Sequence, residues 1–349
     1  MRVQLNARNR AYEFEAAPGE KILFAGLRAR VDLPYECGTG TCGTCKARLV
    51  EGRIDDGWPE APGRKYLKGA GEFLMCQCAA AGDLTAEVAS FVYAVDSGAC
   101  PVADAAGVVA DARALTHDVM ALDIELDRPV DFDAGQFMAV TMPGVPGCRG
   151  YSMVNFARRT RRLEFVLKKK PGGGVSGWLF GGSQDGRGGA KVELFGPLGK
   201  ATFHPSLGKH LLCIAGGSGI AGMMAILARA CEERYFAQYR GDVFFGVRTM
   251  ADAFYLAELA AFRREFSGQL AITVALSDED VPERAARDHP LLRFERGLVH
   301  EVAKKAMQGR FQNVRAYLAG PPPAVDAAIR FLLLEAKLTA DNIRYDKFS

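Results

Sequence analysis

Apolar and polar residues alternate from Val3 to Leu5 and again from Tyr12 to Phe14, the period of two expected of half-buried strands, so the chain opens on a predicted hairpin. The pattern then changes, because Ile22, Leu23, Ala25, Gly26 and Leu27 share one helical face. Strand-like runs at Lys46 to Val50 and Leu84 to Val88 complete a small mixed domain that ends near residue 92. Ser97, Gly98 and Pro101 then break all periodicity between Asp96 and Asp104, which reads as a linker that permits domain movement. From Gly107 to about Phe203, the runs Gly107 to Ala114, Val119 to Leu126, Gln136 to Met142, Leu163 to Lys168 and Lys191 to Phe195 are separated by Gly and Pro turns. That spacing predicts an antiparallel barrel. Beyond His210, the apolar strands Leu211 to Ala215, Val243 to Val247, Leu270 to Leu276 and Ala316 to Ala319 alternate with helical patterns. Such alternation predicts a parallel sheet covered by helices. The expected organisation is therefore multidomain α+β and α/β, with domains at 1–95, 105–205 and 206–349 joined through a linker at 96–104.

Length agrees, since 349 residues exceed one ordinary core at roughly 100 to 200 residues per domain. A formal net charge of +3 is too small to imply a nucleic-acid partner. Charged residues such as Arg2, Arg8, Arg10, Glu13 and Glu15 run through the start of the chain, so no secretory signal is expected there and the protein is expected in the cytoplasm. The uncharged stretch Leu211 to Ala228 is nearly long enough to cross a bilayer. Gly216, Gly217, Gly219 and Gly222 divide it into a short apolar run, a turn and a helical run, so no transmembrane segment is expected.

Nine cysteines in a reducing compartment point to metal ligands or redox groups wherever they cluster. Cys37, Cys42 and Cys45, followed by Cys76, have the C-x4-C-x2-C…C spacing of plant-type [2Fe-2S] clusters. Gly38, Gly40 and Gly43 let the backbone fold closely and aim amide hydrogens at the cluster sulfurs. Zinc fits poorly, because its sites pair two C-x-x-C units. Cys78, Cys100, Cys148, Cys213 and Cys231 lack ligand spacing and read as small core residues.

Around this motif the chain resembles the reductase components of multicomponent bacterial oxygenases, built as ferredoxin, flavin and nicotinamide domains. Pro34 to Cys37, Trp58 to Gly63 and Cys76-Gln77-Cys78 are similar to the toluene monooxygenase branch, and Lys170 to Gly182 to the xylene monooxygenase reductase. The resemblance spans the chain and implies a β-grasp ferredoxin domain, an FAD barrel and an NAD domain. Arg149-Gly-Tyr151-Ser152 matches the superfamily's R-x-Y-S motif, which implies Arg149 on the flavin pyrophosphate, Tyr151 stacked on the isoalloxazine and Ser152 near N5. The residue types suit these tasks: a guanidinium fork for phosphate, an aromatic face for a flat heterocycle, a hydroxyl for the nitrogen that gains a hydride. Gly174-Val175-Ser176 resembles the second phosphate motif, and Lys168 stands where relatives keep a basic residue beside the flavin.

Gly216-Gly217-Ser218-Gly219 follows an apolar strand and opens a helix, the context in which a glycine-rich turn binds phosphate. Relatives usually carry Pro at Gly222, so a looser helix start is expected. The resemblance further assigns Arg248 to the adenosine half of the nicotinamide cofactor, and Gly320-Pro321-Pro322 to the C-G-P-P turn beside the nicotinamide. Ala319 replaces the cysteine of that turn, and slower or differently positioned hydride transfer is expected. Phe348 matches a terminal aromatic that covers the flavin until nicotinamide displaces it. Arg158, Arg159, Arg161 and Arg162 are expected to form a solvated hairpin end, and the five histidines show no ligand spacing.

A nicotinamide gives up two electrons as a hydride, whereas an iron–sulfur cluster accepts one at a time, so flavin must stand between them. The expected function is NADH-dependent electron transfer through FAD and the cluster to the oxygenase, or to a separate ferredoxin, of an aromatic-hydrocarbon monooxygenase. Asp252 disfavours a 2′-phosphate and Arg248 favours one, so NADH over NADPH is an expectation only. The same module could serve a dioxygenase, a cytochrome P450 or a deoxysugar dehydrase. A non-enzymatic redox sensor would not need Arg149, Ser152 and the Gly216 turn together.

Overall fold

The computed structural model describes residues 1–181 and 188–347. The opening hairpin forms as expected, Arg2–Asn6 pairing antiparallel with Ala11–Glu15. Arg2–Asn6 also pairs parallel with Leu84–Glu87, which pairs antiparallel with Lys46–Glu51, and Glu72–Leu74 closes the far edge against Lys46–Glu51. The helix Ile22–Arg28 buries every residue from Ile22 to Leu27. A mixed sheet grasping one helix is the β-grasp arrangement.

The second sheet runs in the order Arg149–Ser152, Phe137–Thr141, Lys191–Leu198, Ala103–Ala114, Val119–Val130, Thr160–Lys168. Among the described residues its strand pairings are all antiparallel. Its two edges meet where Met153 bridges Phe165 and the Val154 amide donates to the Glu164 carbonyl at 2.8 Å, closing a barrel. Ala103 and Asp104, expected in the linker, are already strand. The segment before them is tied down: the Val95 amide donates to the Arg30 carbonyl at 2.8 Å and Arg28 pairs with Asp104 at 2.8 Å.

The third sheet is parallel, in the order Arg293–Arg296, Leu270–Leu276, Gly241–Val247, His210–Gly216, Val314–Gly320, Ile343–Lys347. Chain order reverses between His210–Gly216 and Val314–Gly320, and ligands bind at the carboxyl ends of strands at such a switch point. The Leu211 to Ala228 stretch resolves into the strand His210–Gly216, a tight turn and the helix Ile220–Glu232. Among the described residues, no helix is long and apolar enough to cross a membrane. Gly222 lies buried inside the helix Ile220–Glu232, where a Cβ would meet Ser152 and Gly135 at ordinary contact distances.

The cores run on into one another. Phe137, Ala139, Cys148, Phe195 and Leu198 of the barrel join the ferredoxin core, and Phe24 stacks on Phe195 with centroids 3.9 Å apart. Val119, Ala134, Val154, Val166 and Phe203 likewise join the core of the parallel sheet. Polar contacts fix the registration: Lys200 pairs with Asp32 at 2.7 Å, and Arg229 with Asp133 at 2.9 Å. Arg158 pairs with Asp133 and Arg162 with Asp123, so two of the four hairpin arginines are anchored and not merely solvated.

Candidate electron-transfer site

The cysteine loop folds around its own backbone. Amides of Thr39 and Thr41 point at the Cys37 sulfur and that of Thr44 at the Cys42 sulfur, each at 3.4 Å. Cys45 and Cys76 are buried with their sulfurs 3.1 Å apart, and Gln77 Nε2 donates to Cys76 at 3.4 Å. Gly43 has φ +79°, and a Cβ there would come within 2.6 Å of the Tyr66 ring, so neither conformation nor space admits a side chain. All four thiols are free. Hydrogen bonding from Cys42 and the Thr41 and Thr39 groups holds the Cys37 thiol down at about 4, and a bond from Cys45 lowers Cys76. The same two bonds push Cys42 and Cys45 up, so in each pair one thiol donates to the other. Four sulfurs gathered at one loop, with backbone amides aimed at those of Cys37 and Cys42, fit a [2Fe-2S] cluster. Burial instead pushes Cys78 and Cys231 up, to about 11 and about 12, leaving them inert.

Ser152, Tyr151 and Arg149 lie along one edge strand of the barrel, paired with Phe137, Met138 and Val140. Gly135, just before that neighbouring strand, has φ +100° and no room for a Cβ, which would sit 2.2 Å from the Ala201 carbonyl. The Arg149 guanidinium donates to the Cys148 carbonyl at 2.9 Å, and among the described residues no carboxylate pairs with it. Tyr151 is half-buried, and burial raises its phenol so that it stays neutral. The loop that precedes the helix Gly174–Phe180 is closed by the Lys170 amide donating to the Ser176 hydroxyl at 2.7 Å. Val175 anchors it in the barrel core. Lys168 is paired with Asp118 at 3.1 Å.

Facing this strand, the Gly216 and Gly320 turns pack glycine against glycine. A Cβ on Gly219 would lie 2.4 Å from the Ala319 carbonyl, and one on Gly320, where φ is +143°, would lie 3.0 Å from Gly216 backbone. Arg248 is exposed and 3.6 Å from Asp252. Asp252 is buried and caps its turn, accepting from the Thr249 amide at 3.0 Å and hydroxyl at 2.8 Å.

One cavity of about 1930 Å³ connects these groups. It is lined by Cys37, by Arg149, Tyr151, Ser152 and Lys168, by the Gly174 to Ser176 turn, and by Gly216, Gly217, Ser218, Arg248, Gly320 and Pro321. A guanidinium without a carboxylate partner among the described residues, a flat phenol and glycine backbone around one long cleft fit a flavin dinucleotide and a nicotinamide dinucleotide. Gly219 is buried beneath its turn, and Pro322 begins the helix Pro322–Leu334; neither lines the cleft. Phe348 and Gly182 lie outside the described residues.

Sequence reasoning missed Asp346. The short strand Ile343–Lys347 pairs in register with Val314–Gly320, which sets Asp346 beside Ala319 on the wall of the cleft. Burial, reinforced by the Glu36 carboxylate, pushes Asp346 up to about 7. Only the placement of this terminal segment as a sheet strand would have pointed to it.

A cluster-bearing β-grasp unit, a barrel and a parallel α/β sheet sharing one cleft define an iron–sulfur flavoprotein reductase. Comparison with known proteins agrees in each part. A 2Fe-2S iron-sulfur cluster binding domain matches residues 5–81, an oxidoreductase FAD-binding domain 106–203 and an oxidoreductase NAD-binding domain 213–330. The chain is 34% identical to ferredoxin–NAD(P)+ reductase CarAd of Metapseudomonas resinovorans, over 95% of both chains. It is also 34% identical to the phenol 2-monooxygenase reductase component DmpP of Pseudomonas sp. strain CF600, over 96% of this chain and 91% of that one. A solved structure of the ferredoxin reductase in carbazole 1,9a-dioxygenase matches with a TM-score of 0.82 and 32% identity, over 100% and 99% of the two chains. The chain belongs to the family of ferredoxin–NAD(P)+ reductases that serve as reductase components of oxygenase systems. Its activity is oxidoreduction, carrying electrons from NADH through FAD to a [2Fe-2S] cluster and on to an oxygenase or ferredoxin component.

Proposed function

We propose that this chain is the NADH-dependent reductase of a multicomponent monooxygenase acting on aromatic hydrocarbons, working in the cytoplasm and delivering electrons to the hydroxylase or to a separate ferredoxin. DmpP, named for phenol 2-monooxygenase, supports the monooxygenase reading. The ferredoxin reductase in carbazole 1,9a-dioxygenase favours a dioxygenase partner as the second reading. The domains are taken as 1–95, 103–205 and 206–349, with the linker at 96–102, since Ala103 and Asp104 already belong to the barrel strand.

FAD and the cluster together supply the conversion of a hydride into single electrons. The chain's own residues orient and tune. Arg149 and the turn at Gly174, Val175 and Ser176 bind the flavin pyrophosphate, Tyr151 covers the ring, and Ser152 holds a hydrogen bond at N5 while the Asp118-paired Lys168 sits beside it. The interlocked turns hold the nicotinamide cofactor through Gly216, Gly217, Ser218, Gly320 and Pro321, with Gly219 and Pro322 shaping the turns from behind and Arg248 at the adenosine end; Phe348 is taken, on the resemblance, as the aromatic that guards the ring face. Asp252 is committed to capping and to Arg248, so the preference for NADH rests on that shared charge. Cys37, Cys42, Cys45 and Cys76 hold the cluster.

The observation that carries this reading is the single cleft joining Cys37 to Arg149, Tyr151 and the Gly216 turn. In Cys42→Ser, ferricyanide reduction by NADH, which needs only flavin, is expected to survive while cytochrome c reduction, which needs the cluster, collapses. Equal loss of both in a folded, FAD-loaded variant refutes the division of labour.

A further inference from the structure

Three consecutive residues at the head of the flavin strand each meet a residue of the ferredoxin domain. Lys21 Nζ donates to the Cys148 sulfur at 3.2 Å. The Arg149 guanidinium lies over the Trp58 indole, 4.7 Å from the ring centroid. A Cβ on Gly150 would sit 3.5 Å from the Cys37 carbonyl. The middle contact is the telling one, because Arg149 has no carboxylate partner among the described residues and only the carbonyls of Cys148 and Pro146, at 2.9 and 3.5 Å, share its charge.

Trp58 is itself held firmly. Its amide donates to Asp56 Oδ1 at 3.0 Å, Asp56 pairs with Arg64, and the neighbouring Gly57 amide donates to the Gln77 carbonyl at 3.0 Å. The same loop reaches the cluster motif through the Gly63 amide, which donates to the Gly40 carbonyl at 2.8 Å. A rigid indole therefore presents its face to a half-buried guanidinium from a neighbouring domain. Stacking fixes the guanidinium plane and leaves its remaining N–H edge free for an anion.

We infer that Trp58 is a positioning residue for FAD, holding Arg149 in the orientation that grips the pyrophosphate, so that the ferredoxin domain completes the flavin site. This rests on the reading of Arg149 as the pyrophosphate ligand. A half-buried cation–π contact corresponds to roughly a two- to thirty-fold change in binding.

The test is FAD release from the full-length, cluster-loaded protein, read as free-flavin fluorescence at dialysis equilibrium. Trp58→Leu is expected to raise the FAD dissociation constant within that range, Trp58→Phe to recover most of the loss, and Arg149→Gln to weaken FAD at least as much. In the Arg149→Gln background, Trp58→Leu adds nothing. An unchanged constant in Trp58→Leu, equal losses in the Leu and Phe variants, or a full additive penalty beside Arg149→Gln overturns the inference. Cluster absorption is expected to hold in Trp58→Leu, and its parallel loss would show that Trp58 serves the cluster loop instead. Unaltered FAD binding in Arg149→Gln would instead sink the reading of Arg149 itself.

Discussion

Gly150 is where the cluster loop touches the flavin strand, and enlarging it tests whether that contact sets the rate of transfer. A Cβ there meets two Phe137 ring carbons at 3.3 Å and the Cys37 carbonyl at 3.5 Å. Alanine therefore fits with a shift of a few tenths of an ångström, whereas the extra methyls of valine must displace either the Phe137 ring or the cysteine loop. Phe137 is 3% exposed and packed among Cys148, Phe195 and Leu198, so it cannot yield easily. Overpacking of this kind costs about 1–3 kcal/mol. At about 1.4 kcal/mol per tenfold, the docked arrangement becomes roughly 5- to 140-fold less favoured. Because the flavin motif residues Arg149, Tyr151 and Ser152 are unaltered, NADH-driven ferricyanide reduction is expected to stay near wild type. Cytochrome c reduction is expected to fall several-fold or more in Gly150→Val and little in Gly150→Ala. A Gly150→Val protein that keeps its cluster and its wild-type ratio of the two activities would show that this contact does not govern transfer.

Two further outcomes follow from the cleft. Ala319→Cys restores a thiol beside the nicotinamide turn and is expected to change the rate of flavin reduction by NADH several-fold in stopped flow; an unchanged rate would remove Ala319 as the cause of altered hydride transfer. Asp346 binds its proton more tightly in the folded chain, being pushed up to about 7 against an ordinary 3.8. Its contribution is therefore present at low pH and lost as pH rises towards and through 7. Asp346→Asn should match wild-type thermal stability near pH 4 and gain on it progressively up to pH 8; a constant gap across that range would contradict the shift.

The three-part architecture was legible in the sequence because each part has its own period and punctuation. Alternation marked the hairpin at Val3 and Tyr12, and glycine-split apolar runs marked the strand, turn and helix at Gly216. The cysteine motif was local too, since its ligand spacing and its glycines are set within one loop and Cys76. Short or edge elements escaped: Arg293–Arg296 has too little apolar content to signal a strand, and Ile343–Lys347 becomes one only because Val314–Gly320 offers it an open edge.

Tertiary structure alone decided how the parts meet. Nothing local to Phe24, Trp58 or Tyr35 announces that each is to face the barrel. Phe24 stacks on Phe195, Trp58 covers Arg149, and the Tyr35 hydroxyl accepts from the Gly199 amide at 3.0 Å. These contacts join residues far apart in the chain, so no period or motif encodes them. The sequence thus determined which cofactors the chain is built to hold, because their ligands lie in short motifs. The packing of apolar faces from separate domains decided which cofactor lies beside which.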